Sequence, residues 1–379
     1  MNDSQHLVVG AGLAGAAIAW RLAERGQDVT LVDRRRPAAE DGSSHGSARI
    51  FRYAYPELRW TELVQRALPG WRELERLHGG RLITPTGALD LGDDRDPRRL
   101  AAVLAAAGIE HELIPRAEAR QRWPQIDVDT DVLHHPGAGV IDAETAVHAM
   151  VAAAQQHGAQ VLTDWPLARL ERAGSGFTAV AADGRTLSAG HVVVSAGGWL
   201  PDLLGALPLP SGFLESFPAL EVREENAFHF PYAEDVAPGA GWPTLIHKRA
   251  DIQVYALPGG RDADFRGQKV AEYNGGRKLR SAAEQSGAVD PANRARVVEY
   301  VRTFLPGLVP EPYAETTCLF TNTPTEDFVI DGVDGVTVVS PCSGHGAKFA
   351  PLLGEIGADV AMGAATAPAE FRVRTGAGA

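Results

Sequence analysis

The chain has 379 residues, 45% of them apolar and 22% charged, the make-up of a soluble globular protein too long for one simple core. A net charge of −12 argues against nucleic acid or an anionic membrane as partner. Two cysteines, Cys318 and Cys342, exclude a disulfide framework and fit a reducing compartment.

The start, "MNDSQHLVVGAG", has no basic leader and no long apolar run, so neither a signal peptide nor a membrane span is expected. The tail "RTGAGA" carries no peroxisomal address. The expectation is a cytoplasmic protein, a monomer or simple homo-oligomer. Heavy use of Ala, Arg and Gly points to a GC-rich bacterial genome.

Residues 7–33, "LVVGAGLAGAAIAWRLAERGQDVTLVD", predict a buried strand at 7–9, a tight turn, a helix over 16–25 and a second strand at 29–32. Gly10, Gly12 and Gly15 form G-x-G-x-x-G. The first allows a tight turn, the second a close approach to pyrophosphate, the third close packing of helix on strand. Phosphates then meet the positive end of the helix. Asp33 ends the second strand, where an acid accepts hydrogen bonds from the ribose of an adenosine. A free 2′-hydroxyl suits that acid, which argues against NADP and leaves FAD and NAD.

Further along, "HVVVSAGGWLPDLL" (191–204) and "GVTVVSPCSGHGAKFAPLLGEIGADVA" (335–361) repeat the passage from strand through a Gly turn to a helix. The expected fold class is therefore α/β, with a discontinuous Rossmann-like dinucleotide domain over 1–85, 140–215 and 318–379. Residues 86–139 and 216–317 carry short strand-like runs such as "DIQVYALPGG", and are expected to form a second, mixed and mostly antiparallel β lobe for substrate. The stretch "FPYAEDVAPGAGWP" reads as a surface loop.

Three stretches place cations among small residues: "GSSHGSARIFRYAY" with His45, Arg49 and Arg52, "GQKVAEYNGG" with Lys269, and "CSGHGAKFAP" with His345 and Lys348. Gly-Ser loops with interleaved cations suit anions and cofactors better than they suit random surface. No metal-ligand spacing stands out.

Together with "VVGAGLAGAA", "RWPQI", "VVSAGGW" and "TTCLFTNTPTEDFVID", these stretches make the chain resemble the monomeric sarcosine oxidase and N-methyltryptophan oxidase family of FAD-dependent amine oxidases, from residue 7 to about 360. The resemblance implies FAD, held by Gly10, Gly12, Gly15, Asp33, Ser43, Arg49, Gly344, His345, Gly346 and Lys348. It implies a thioether from Cys318 to the flavin 8α carbon, formed as a thiolate adds to the electrophile left when the 8-methyl group loses a proton. Cys342 has no such match and reads as structural. Substrate carboxylate binding falls to Arg52 and Lys348, Tyr255 lies beside the substrate, and His45 and Arg49 lie close to the flavin. Lys269 matches the lysine that activates oxygen, since a fixed ammonium stabilises the anion that O₂ becomes. The partners implied are a small amino acid and O₂.

The sequence also departs from that pattern. Ser44, Ser47 and Ala48 replace a second histidine and an acid in the first loop. Tyr273 stands where sarcosine oxidases have an active-site histidine, and Phe320 where a tyrosine follows the flavin cysteine. Ala347 replaces an aromatic, and Pro341-Cys342 replaces small or apolar residues. The expected substrate is an N-methyl or cyclic secondary amino acid, or a larger one in a biosynthetic pathway. An NAD-dependent dehydrogenase and a non-catalytic FAD-binding subunit remain the rival classes. The first leaves Cys318 unexplained; the second has no need of Lys269 or of the Arg52–Lys348 pair.

Overall fold

A computed structural model describes residues 3–233 and 241–374. Most of the expected loop around 233–242 lies outside them.

The first strand, Asp3–Val9, and the strand Val29–Val32 pair in parallel, Val9 opposite Val32. The helix Leu13–Glu24 crosses between them, starting three residues earlier than its composition predicts. On its other side the first strand pairs in parallel with Thr186–Val194. That strand in turn pairs with Val336–Ser340. The paired segments 7–9, 29–32, 192–194 and 336–339 are buried and consist of Val and Leu with one Thr each in the second and fourth, as parallel strands covered on both faces require. The strand Gln160–Leu162 closes one edge, and an antiparallel pair, Leu167–Ala173 and Gly176–Ala181, closes the other.

The helices Leu13–Glu24, Ala143–Gln156 and Ala350–Ala361 stack on one face of this sheet around fully buried Trp20, and Leu58–His78 joins them through Trp71. The small residues of "LAGAAIAW" let the neighbouring helix come close: a Cβ at Gly354 would lie 2.7 Å from the Ala17 carbonyl oxygen. Arg21 is buried in this layer, and its terminal nitrogens pair with Glu24 at 2.8 Å and Glu73 at 2.6 Å.

The stretch 191–204 follows its reading of strand, Gly turn and helix start, and the helix is short. A 3-10 turn, Gly197–Trp199, leads only into the five-residue helix Leu200–Leu204. Pro201 suits a helix start, but Gly205 and the following "LPLP" stop the helix from continuing.

A second sheet contains the strands of 86–139 and 216–317, in mixed and mostly antiparallel pairing. Its longest ladder joins Glu221–Pro231 to Ala314–Asn322, with Glu225 opposite Cys318. The division drawn at residue 318 therefore falls inside one strand, and that strand hydrogen-bonds to the second sheet rather than the first. Its β-branched threonines favoured a strand, but not a choice of sheet. A small sheet of Arg49–Phe51, Gly139–Ile141 and Ile83–Pro85 supports the loop that carries Arg49 and Arg52.

Among the described residues no helix is long and apolar enough to cross a membrane. Nor are three or more His, Cys, Asp or Glu side chains grouped to hold a metal ion.

Candidate active site

The first strand ends at Gly10, whose φ of +98° and contact with Ser195 leave no room for a side chain: a Cβ would lie 2.3 Å from the Ser195 carbonyl oxygen. Gly15 packs the helix onto this turn, with its own virtual Cβ 1.8 Å from the Gly10 carbonyl oxygen. Gly12 caps the helix without a side chain, and only Ser44 Oγ reaches in, accepting from the Leu13 amide at 3.0 Å. Asp33 accepts from the amides of Ala11 at 2.7 Å and Arg35 at 2.8 Å, so it braces the glycine turn from below. Burial raises its pKa above the usual carboxylate range.

A cavity of about 420 Å³ opens here, lined by Gly10, Gly12, Asp33, Ser43, Ser44 and Trp199 at this end and by Arg49, Cys318, Cys342, Gly344 and Gly346 beyond. A largely uncapped helix N-terminus for pyrophosphate and an acid at the strand end for ribose fit an adenine dinucleotide. Gly15 does not line the cavity; its part is the packing beneath it.

A second cavity of about 260 Å³ is lined by Arg52, Tyr55, Lys248, Tyr255, Lys269, Tyr273, Glu326 and Lys348. Arg49, Cys318, Phe320, Gly344 and Ala347 line both, so the two are contiguous at Cys318. Each side chain arrives on ordered backbone. Tyr255 stands opposite Ile246 in the hairpin of Thr244–Lys248 and Gln253–Pro258. Lys269 is paired on both sides, with Leu257 and His229. Lys348 projects from the 3-10 turn Gly346–Phe349, just before the helix Ala350–Ala361.

Lys348 is buried, and its environment fixes its donors. Its ammonium donates to Tyr55 Oη at 3.0 Å and to the His345 carbonyl at 2.7 Å. The Glu326 carbonyl lies 3.0 Å from His345 Nε2 and can only accept, so that nitrogen carries the proton. His345 Nδ1, 3.1 Å from Tyr55 Oη, is then the acceptor for the Tyr55 hydroxyl. Burial and Lys348 push His345 down to about 3, so the ring is neutral. An ammonium has three N–H donors, and this arrangement leaves one for the cavity. Burial, with Arg52 and Arg95 nearby, holds the Lys348 pKa well below its ordinary value; a bound carboxylate would offset both. The Arg52 guanidinium lies 4.4 Å over the Tyr55 ring and donates to the Ala54 carbonyl. Trp71, from the helix layer, donates to the Lys348 carbonyl at 2.7 Å and ties this corner to the core.

Lys269 is 4% exposed. Burial, then Arg49, lowers its pKa to about 8. Arg49 donates only to backbone carbonyls, those of Ala48 and Ser43, both at 3.0 Å, so its charge is not cancelled. Ser43 in turn donates to the Leu319 carbonyl at 2.7 Å, next to Cys318. Tyr255 is half-buried on the wall of the second cavity, and burial raises its pKa.

The expected residues divide between the two cavities. His45 lines neither; it is half-buried beside Arg49 and Lys269, and burial and those two charges lower it to about 4, so its ring is neutral. His345 and Lys348 line the second cavity and not the first. Cys342 lines the first cavity, where its Sγ accepts from the Thr321 amide at 3.3 Å.

Among the polar residues of this lining, Tyr55, Arg95, Lys248, Gln253 and Glu326 escaped the sequence reading. Arg95 is buried against Asp90 at 2.5 Å, and donates to the Ala54 carbonyl at 2.9 Å. Glu326 accepts from Tyr273 Oη at 2.7 Å. Lys248 could have been found by strand alternation. It lies two residues from Ile246, the partner of Tyr255, and so shares a face of the hairpin with both.

Comparison with known proteins agrees with this geometry. The DAO family, FAD dependent oxidoreductase, matches residues 5–360. The chain belongs to that family. It is 31% identical over 370 residues to N-methyl-L-tryptophan oxidase of Yersinia pestis (strain Pestoides F), covering 94% of each chain. In solved structures it is similar to NikD, an unusual amino acid oxidase essential for nikkomycin biosynthesis, with a TM-score of 0.86 at 24% identity, covering 100% of this chain and 99% of that one. It is also similar to glycine oxidase from Geobacillus kaustophilus, with a TM-score of 0.79 at 17% identity over 100% of both chains. These two share its fold. The protein is an FAD-dependent oxidoreductase, which sets aside the NAD-dependent dehydrogenase.

Proposed function

We propose that the protein is an oxidase of a secondary amino acid, N-methyl or cyclic, with O₂ as acceptor. The supporting observation is the junction of the two cavities at Cys318. On one side of it lies a dinucleotide-shaped set of contacts; on the other lies a second cavity lined by cations held on ordered backbone.

Arg52 and the remaining Lys348 donor bind the substrate carboxylate, the planar fork of the arginine supplying direction and the ammonium a point charge. Tyr255 walls the amine. Arg49 and Lys269 disfavour a further positive charge nearby, so the substrate nitrogen is bound neutral, with its lone pair available. When bound, FAD accepts a hydride equivalent from the C–H beside that nitrogen and delivers the electrons to O₂ as H₂O₂. Lys269 stabilises the negative charge that develops on oxygen, in a site from which water is largely excluded. The imine then takes up water to give a primary amine and a carbonyl compound. Cys318 is proposed to hold the flavin through sulfur.

The experiment is aerobic turnover of N-methyl amino acids beside their amides. The acids should yield H₂O₂ and aldehyde in equal amounts, with the amides at least tenfold poorer in kcat/KM. Amides that react as well as acids would remove the carboxylate clamp from the account.

A further inference from the structure

The second cavity holds more positive charge than one substrate carboxylate requires. Arg95 is offset by Asp90, and Arg52 and Lys348 face the same Tyr55 corner. Lys248 is a further cation on the same lining, close enough to feel Arg95 and Arg52. It closes the Thr244–Lys248 strand, and among the described residues its ammonium has no hydrogen bond or ion pair; it lies 5.1 Å from the centre of the Tyr273 ring. Glu326, the carboxylate on the same wall, is engaged by Tyr273 and makes no ion pair with Lys248. A lysine that merely covers surface keeps its ammonium in water. This one is half-buried, and burial, with Arg95 and Arg52, pulls its pKa down to about 8. Gln253, opposite Lys248 in the ladder, lines the same cavity and supplies a second donor at that point.

We infer that Lys248 and Gln253 form a second anion subsite, and that the substrate is an amino dicarboxylate: a secondary amino acid whose side chain carries its own carboxylate. The inference rests on the oxidase reading for the place of the first carboxylate, at Arg52 and Lys348. The side-chain carboxylate meets Lys248 across the chamber, with Tyr273 beneath the ammonium. Lys248 is thus a specificity residue that leaves the reacting atoms alone.

The test reads binding as well as turnover. The holoenzyme is titrated with glutarate and with its monoamide, glutaramate, following the change in the flavin absorbance band. Glutarate should bind at least tenfold tighter, because glutaramate can place its one carboxylate at Arg52–Lys348 but only an amide at Lys248. In Lys248→Met the two should bind within about twofold of each other, and Lys248→Arg should restore most of the difference. N-methyl-L-glutamate should likewise reduce the native enzyme with at least tenfold higher kcat/KM than N-methyl-L-glutamine. Equal binding of glutarate and glutaramate by the native enzyme overturns the inference, whatever the variants do. So does a Lys248→Met enzyme that weakens both ligands alike. The two readings fail separately. Monocarboxylic N-methyl amino acids that bleach the flavin while glutarate shows no advantage would leave an oxidase without this subsite. A glutarate advantage in an enzyme that no amine reduces would keep the subsite and remove the oxidase.

Discussion

Lys348 Nζ lies 3.0 Å from Tyr55 Oη, and the Tyr55 hydroxyl is turned away from it by His345. The tyrosine oxygen is therefore an acceptor for the lysine, and the lysine is held with one donor to spare. Tyr55→Phe removes that acceptor without changing the shape of the corner. It should weaken amino acid binding about tenfold, the worth of roughly one charge-assisted hydrogen bond, and leave the limiting rate of flavin reduction nearly unchanged. Stopped-flow reduction at varied substrate concentration separates the two quantities. A fall in the limiting rate with unchanged affinity would count against the role given to this pair.

Lys269 is the group proposed to act on oxygen. Replacing it by Met should slow reoxidation by O₂ by about 10²–10³-fold while changing reduction by substrate far less. Because burial depresses this lysine to about 8, its charge is present below that pH and is lost as pH rises through it. Oxygen reactivity should therefore decline above about pH 8 in the native enzyme and show no such step in Lys269→Met. The same decline in both proteins would assign it to another group.

Cys318 and Cys342 both line the dinucleotide cavity, so the attachment test needs both variants. Native protein and Cys342→Ser should keep their yellow colour in an acid-precipitated pellet. Cys318→Ser should release it to the supernatant. Retention after loss of Cys318, with release after loss of Cys342, would exchange the two assignments.

Glu225 faces Cys318 across the ladder and is 1% exposed. Burial raises its carboxyl from 4.5 to about 7. The folded state thus holds this proton more tightly than the unfolded chain does. Its stabilising contribution is full below about pH 4.5 and is lost as pH rises through about 7. Glu225→Gln should remove that loss, making the variant more stable than the native protein at pH 8 by up to roughly 3 kcal/mol. Denaturant unfolding at pH 4.5 and 8 measures it, and parallel pH profiles for the two proteins would show that Glu225 is not the group responsible.

How much of this could be read from the sequence depends on how local the cause is. Gly10, Gly12, Gly15 and Asp33 are set by a turn and its two flanking strands, all within 24 residues, and their spacing alone gives the dinucleotide end. Lys348 and Arg52 lie 296 positions apart in sequence, and only the resemblance to a family could bring them together. The Tyr55–His345–Lys348 arrangement was not legible, because both tyrosines of "RYAYPE" are buried and nothing there marks which one faces the cavity. Cys318 could be singled out by its chemistry, but the sheet to which its strand belongs could not. Alternation along Ala314–Asn322 fits either sheet, and the choice is made by the long ladder with Glu221–Pro231. The nearness of His45 to the flavin rests on resemblance alone; its ring lines neither cavity and is held neutral by burial beside Arg49 and Lys269.

The most direct test of the central claim is anaerobic mixing of the holoenzyme with a panel of amino acids, watching the long-wavelength flavin band. The panel should hold sarcosine, N-methyl-L-tryptophan, N-methyl-L-glutamate, proline and pipecolate beside the matching primary amino acids. The account predicts rapid bleaching by at least one secondary amino acid and none by its primary counterpart. Bleaching by primary amino acids alone, or by no member of the panel, would contradict it.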